Sequence, residues 1–85
     1  MASPATDLVC YLVRSIVEEP DAVEVEEFDE GDELILEIKV ADSDLGRVIG
    51  KEGRVAKAIR TIARAAGARE ERRISVDIVE DQRAP

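Results

Sequence analysis

The apolar residues of this chain change period along its length, and the changes divide it into six segments. Ser3 followed by Pro4 reads as an N-cap and a first helical residue, and Leu8, Leu12 and Ile16 with Val9, Val13 and Val17 then form two adjacent stripes at helical spacing. The pattern predicts a helix over 4–18, stopped by Pro20. Beyond it Val23 and Val25 alternate with Glu24 and Glu26, until Phe28 breaks the alternation by one residue as a bulge or strand end does. The acidic run 29–33 around Gly31 reads as a hairpin tip, because it lacks the alternating ligand spacing of a calcium loop. Leu34, Leu36, Ile38 and Val40 alternate with Ile35, Glu37 and Lys39, which gives a second strand with one face inward.

Asp42, Ser43 and Asp44 supply capping side chains for about one helical turn over 45–49, ended by Gly50. A long helix over 53–66 follows, with Gly67 as its terminator. On a helical wheel Val55, Ile59, Ile62 and Ala66 fall on one side of it, and Lys57, Arg60 and Arg64, with Arg54 at the edge, fall on the other. Ile74, Val76 and Ile78 alternate with Ser75 and Asp77 in a last strand. Residues 4–80 then form one domain and 81–85 a loose tail. The order αββααβ suits an α+β layer with helices packed on one face of a three-stranded sheet.

A domain of 85 residues has a thin core and little room for a deep pocket. Only 2% of the residues are aromatic, so Val, Ile, Leu and Ala must build that core, and Tyr11 and Phe28 cannot supply rows of base-stacking platforms. Histidine is absent and Cys10 is the single cysteine, which removes the usual metal ligands, imidazole bases and Cys-His pairs. No catalytic residue, metal or cofactor is therefore expected, and Cys10, set among Leu8, Val9, Leu12 and Val13, reads as a buried small hydrophobe. With no disulfide, no charged-then-apolar leader and no bilayer-length apolar run, the cytoplasm is the expected address, without membrane contact.

The net charge of −8 argues against nucleic acid until its distribution is considered. Between Gly46 and Arg73 lie nine basic residues against three acidic ones, a local balance of +6 that leaves −14 on the rest of the chain. Two blocks of opposite sign imply one face for an anion and another that repels it.

Inside the basic block, Gly46, Gly50, Lys51 and Gly53 precede a helix, so a nucleotide phosphate loop is the first candidate. It fails, because three residues rather than four separate Gly46 from Gly50 and Glu52 stands where a Ser or Thr must hold magnesium. What remains is Gly50-Lys51-Glu52-Gly53 joining two helices. Glycines at both ends let a sugar-phosphate strand approach without a Cβ in the way, and free N–H groups at a helix start favour a phosphate. Glu52 is the one residue of the turn that opposes such a ligand.

In Arg47-Val48-Ile49-Gly50-Lys51-Glu52-Gly53-Arg54 and Ala56-Lys57-Ala58-Ile59-Arg60-Thr61-Ile62 the chain resembles the KH domain, and among KH proteins the minimal bacterial KhpA family. The resemblance covers nearly the whole chain and implies a type II KH domain. It also implies a groove for about four nucleotides of single-stranded RNA, the backbone clamped by a Gly-x-x-Gly turn. Carried over, Gly50, Lys51, Glu52 and Gly53 form the clamp, Arg47, Arg54 and Lys57 surround it with basic charge, and Val48, Ile49 and Ala56 are candidates for the groove floor. The family further implies an RNA chaperone or post-transcriptional regulator linked to cell shape and cell-wall biogenesis, acting as a homodimer or with a KhpB/Jag-type KH protein. The alternative is a docking module that works mainly through dimerisation or a partner, which the wide apolar arc of the first helix favours.

Overall fold

The computed structural model describes residues 2–79, so the tail expected over 81–85 lies outside the described residues. Helix α1 (Pro4–Ile16), strands β1 (Glu24–Asp29) and β2 (Glu33–Lys39), helices α2 (Leu45–Ile49) and α3 (Arg54–Arg69) and strand β3 (Arg73–Ile78) follow in the expected αββααβ order. The sheet is mixed, in the order β1-β2-β3, with β1 antiparallel and β3 parallel to the central β2. Leu34, Leu36 and Ile38 of β2 and Ile74, Val76 and Ile78 of β3 face the helices, where Val9 and Val13 of α1 and Ile59 and Ala63 of α3 close the core. Each of the large side chains contributes about 1.5–3 kcal/mol by leaving water.

Ser3 caps α1 by accepting a hydrogen bond from the Thr6 N–H at 3.1 Å, and Pro4 takes the first helical position. The helix ends at Ile16, earlier than the expected residue 18. The Glu18 and Glu19 N–H groups instead donate to the Asp44 carboxylate at 2.9 and 3.0 Å, which pulls the chain out of the helix before Pro20 opens a single 3-10 turn.

Phe28 marks neither a bulge nor a strand end. The pairing runs without a break from Glu24↔Lys39 to Asp29↔Leu34, and Phe28 lies opposite Ile35 on the open face of the sheet. Its apolar character reports that cross-strand pair rather than an irregular backbone. The tip beyond β1 is the expected hairpin, with Gly31 at φ +88° and the Glu30 N–H donating to the Glu33 carbonyl at 2.8 Å.

Two corrections concern α3. The helix continues through Gly67 to Arg69, and the left-handed residue beyond its end is Glu71 at φ 58°. Gly67 is there for proximity: a Cβ would lie 2.3 Å from Ile74 Cγ1 and 2.6 Å from the Arg72 carbonyl oxygen. The buried stripe is Ala56, Ile59, Ala63 and Gly67, one step around the wheel from the expected arc, and Ile62 is exposed. Small residues let α3 sit close on the sheet. Gly67→Ala is accordingly expected to lose about 1–3 kcal/mol by overpacking, although Ala is the better helix former by about 1 kcal/mol; urea unfolding checks the sign.

The Glu27 carboxylate ties α1 to β1, accepting from the Thr6 hydroxyl and, at 2.8 Å, from the Ser3 N–H. The Thr6 hydrogen bond first and the Ser3 bond second hold Glu27 below the usual carboxylate range. Asp29 is likewise lowered, by the Gly31 N–H and then by the Arg72 guanidinium, whose Nη2 lies 2.7 Å away. A carboxylate depressed in the folded state adds stability that is complete above its unfolded pKa and disappears as pH falls through the folded one. Glu27→Gln should therefore melt below the parent at neutral pH and converge with it in acid, as thermal melts across pH will read.

Candidate nucleic-acid interface

Helix α2 is a single turn whose exit is forced by Gly50, at φ 78° and ψ 172°. A Cβ there would lie 2.4 Å from Val55 Cγ2 and 2.8 Å from the Val55 N, so the first glycine is required both by its backbone angle and by the close approach of α3. Residues 51–53 then make one 3-10 turn, with the Gly53 N–H donating to the Gly50 carbonyl at 3.1 Å. Glu52 at φ 57° and Gly53 at φ 75° are both left-handed. The second glycine differs from the first, since nothing lies within 4 Å of where its Cβ would be.

Among the described residues, the N–H groups of Lys51 and Glu52 find no acceptor. They sit in a turn that runs directly into the start of the 16-residue helix α3. Unpaired donors at the positive end of a helix dipole attract an anion. The Lys51 side chain is exposed and makes no ion pair with a described residue, whereas Arg54 Nη2 lies 3.1 Å from Glu52 Oε1, both side chains exposed. Lys57 is exposed one turn further along α3, also without an ion pair among the described residues.

The remaining residues of the sequence-predicted site flank this turn but differ from Lys51 and Lys57 in burial or pairing. Val48 is fully buried and Ala56 is 4% exposed, so both belong to the core rather than to an accessible floor, while Ile49 is half-buried. The reason is helical geometry: Val48 and Ala56 are the inward positions of α2 and α3. Arg47 is held elsewhere, its Nη2 3.0 Å from Glu18 Oε2 and its Nε 3.4 Å from Asp44 Oδ1.

Asp44 was expected to cap α2, and its side chain does not. Fully buried, it accepts the Glu18 and Glu19 N–H bonds and pairs with Arg47, stapling the end of α1 to α2 and so fixing where the 50–53 turn stands. The only early sign of it was an acidic residue before a short apolar turn, and many capping residues share that sign.

The sequence reading also placed Arg60 and Arg64 only on a basic helix face. Arg60 Nε donates to the Val76 carbonyl at 3.2 Å, and both arginines line an open cleft of about 920 Å³ between α3 and β3. Among the described residues no helix is long and apolar enough to cross a membrane, and no group of three or more His, Cys, Asp or Glu residues is placed to hold a metal ion.

The family profile described as KhpA/KhpB, KH domain matches residues 6–78. The RNA-binding protein KhpA of Caldanaerobacter subterraneus subsp. tengcongensis is 47% identical over 73 residues, 86% of this chain and 97% of the relative. The protein of the same name in Clostridium acetobutylicum is 48% identical over 68 residues, 80% of this chain and 91% of that one. Among solved structures, Era in complex with MgGDPNP and nucleotides 1506–1542 of 16S ribosomal RNA superposes with a TM-score of 0.55 at 22% identity, a likeness of fold. The match takes in 91% of this chain and 31% of the Era chain, so this chain spans about a third of Era's length. With the αββααβ order, the mixed sheet and the Gly-x-x-Gly turn between α2 and α3 in place, the chain belongs to the KhpA/KhpB KH-domain family.

Proposed function

We propose that this protein is a non-catalytic single-stranded RNA-binding protein that holds the RNA backbone in the 50–53 turn. It serves in this reading as a cytoplasmic RNA chaperone or post-transcriptional regulator, with the link to cell shape and wall biogenesis that the family resemblance implies. The observation that carries the reading is the turn itself. Two unpaired N–H groups, an unpaired Lys51 and a Cβ-free open side at Gly53 coincide at the start of a long helix. Relatives that match over almost their full length bear the name RNA-binding protein, which supports the choice of ligand. The contact set is narrower than the sequence suggested: Lys51, Arg54 and Lys57 with the turn backbone, because Arg47 is engaged by Asp44 and Glu18.

Few phosphate contacts imply micromolar affinity and a shallow log-log salt slope of about two or three. Fluorescence anisotropy at several salt concentrations tests this, and equal affinity for duplex and single-stranded RNA would count against the groove. Glu52→Lys is expected to tighten binding about fivefold, since it removes the turn's one opposing charge and releases Arg54 from its 3.1 Å pair. An unchanged or weaker affinity would show that Glu52 does not oppose the ligand.

A second reading has its own observation. Leu8 and Tyr11 on α1 and Ile62 on α3 are 37%, 69% and 39% exposed on two helices that pack side by side. They favour docking through the helical layer, to a second copy or to a KhpB/Jag-type KH protein. Sedimentation of the parent and of Ile62→Glu discriminates: a concentration-dependent dimer lost in the variant supports docking, and a strict monomer in both removes the homodimer.

A further inference from the structure

We infer that the open face of the sheet docks a short basic segment of another protein, with an apolar side chain of that segment on Phe28 and Ile35 and its cations on a row of carboxylates beside them. This face lies across the sheet from the helical layer that carries the 50–53 turn, so the inference stands apart from the RNA reading. Strand register builds the surface. Leu34, Leu36 and Ile38 point to the helices, so the alternate residues of β2 and their partners in β1 and β3 form the opposite face. Phe28, Ile35 and Ser75 make one cross-strand row, and Phe28, one of the two aromatic residues of the chain, is 44% exposed. Glu26, Glu37 and Asp77 make the next row, about 7 Å along the strands.

The second row is what calls for a partner. Glu37 has a carboxylate on either side of it, on strands about 4.8 Å apart. None of the three makes an ion pair or a side-chain hydrogen bond with a described residue. Like charges directly opposite one another weaken a sheet, and the cation nearest in register, Lys39, lies one row further on, across from Glu24. Arginine or lysine laid over the row relieves that repulsion, arginine with two parallel hydrogen bonds to one carboxylate. An exposed aromatic residue beside unpaired charges is also the pattern of an anchor with a polar rim.

Charge and area select the occupant. The carboxylate row repels a phosphate backbone, so nucleic acid does not fit. A second copy docked through the same face would set row against row. Three strands about 15 Å across and six residues about 20 Å long give a footprint of about 300 Å², well below the about 800 Å² per partner of a stable complex. A basic segment of about six extended residues matches both limits, its apolar residue two positions from a cation.

The test uses a fluorescein-labelled peptide of about ten residues in which Arg, Arg and Leu stand two positions apart between serines, with a counterpart that has Ser in place of Leu. Anisotropy should show micromolar binding of the first peptide, about fivefold weaker binding of the second, and no change beyond about twofold when single-stranded RNA is in excess. Glu26→Gln with Glu37→Gln should weaken binding about tenfold, and the pair should fold because it removes like charges from neighbouring strands. Phe28→Thr keeps strand propensity and should weaken binding about fivefold, with Ile35→Thr in its place if circular dichroism shows it unfolded. Asp7→Asn with Asp21→Asn removes two exposed carboxylates away from the sheet and should stay within about twofold of the parent. A parent that does not bind, full affinity in the sheet variants, or displacement of the peptide by RNA overturns the inference. Equal loss in the Asp7 and Asp21 pair overturns it as well, by showing diffuse attraction to an acidic protein. A parent dimer in sedimentation that Phe28→Thr dissolves, without peptide binding, assigns the face to a second copy instead.

Discussion

Replacing Asp44 with Ala is expected to cost about 3 kcal/mol of stability, the largest loss among single substitutions near the site. The carboxylate is fully buried, and each of its oxygens accepts one backbone N–H, from Glu18 at 2.9 Å and Glu19 at 3.0 Å. Alanine leaves both donors without a partner in a part-buried position and leaves Arg47 with only its exposed contact to Glu18. Leaving a buried donor unsatisfied costs about 1–3 kcal/mol, so two of them outweigh any gain from relieving a buried charge. Glu18→Ala is the control: it removes the solvent-exposed arm of the same cluster and should change stability by less than about 1 kcal/mol. Urea unfolding of both variants reads the difference. A loss at Asp44 no larger than that at Glu18 would show that the staple does not hold α1 to α2.

The same substitution bears on function through position. Helix α2 is five residues long and would not persist on its own, so the 50–53 turn depends on what anchors α2 to the rest of the molecule. Asp44 is that anchor on the α1 side, and Val55 packed beneath Gly50 is the anchor on the α3 side.

How far the sequence could be read follows from which interactions are local. Element order was legible because periodicity reports burial directly: Leu34, Leu36 and Ile38 face the core, as their alternation requires, and α2 has the bounds that Asp44 and Gly50 suggest. The Gly-x-x-Gly turn was legible because its glycines are adjacent in sequence to the helix they introduce. The failures came from partners that lie outside the residue's own helix or strand. Gly67 looked like a terminator, but it meets Ile74 and the Arg72 carbonyl after the chain has reversed. Phe28 looked like a bulge because its partner Ile35 lies across the hairpin. Arg47 was placed beside the turn as basic charge, and its guanidinium is instead held by Glu18, 29 positions away, and by Asp44, which the sequence offered as a cap. Val48 and Ala56 were offered as candidates for the groove floor because a motif specifies which residues lie near a ligand, not how deeply the core covers them.

The account's central claim is that RNA is held at the 50–53 turn, and the joint replacement of Lys51 and Glu52 by Asp tests it most directly. The fold should be preserved, since both side chains are exposed and Asp tolerates the left-handed backbone that Glu52 adopts at φ 57°. Stability should move by no more than about half a kcal/mol. Binding should fall by more than about a hundredfold, because the charge-assisted Lys51 contact, about 1.5–3 kcal/mol, is lost and a second carboxylate faces the phosphate. The measurement is the anisotropy of a fluorescent single-stranded RNA titrated with parent and variant, each shown folded by circular dichroism. A folded variant with no measurable binding is the predicted result, and a folded variant that binds like the parent would contradict the clamp and favour docking through the helical layer.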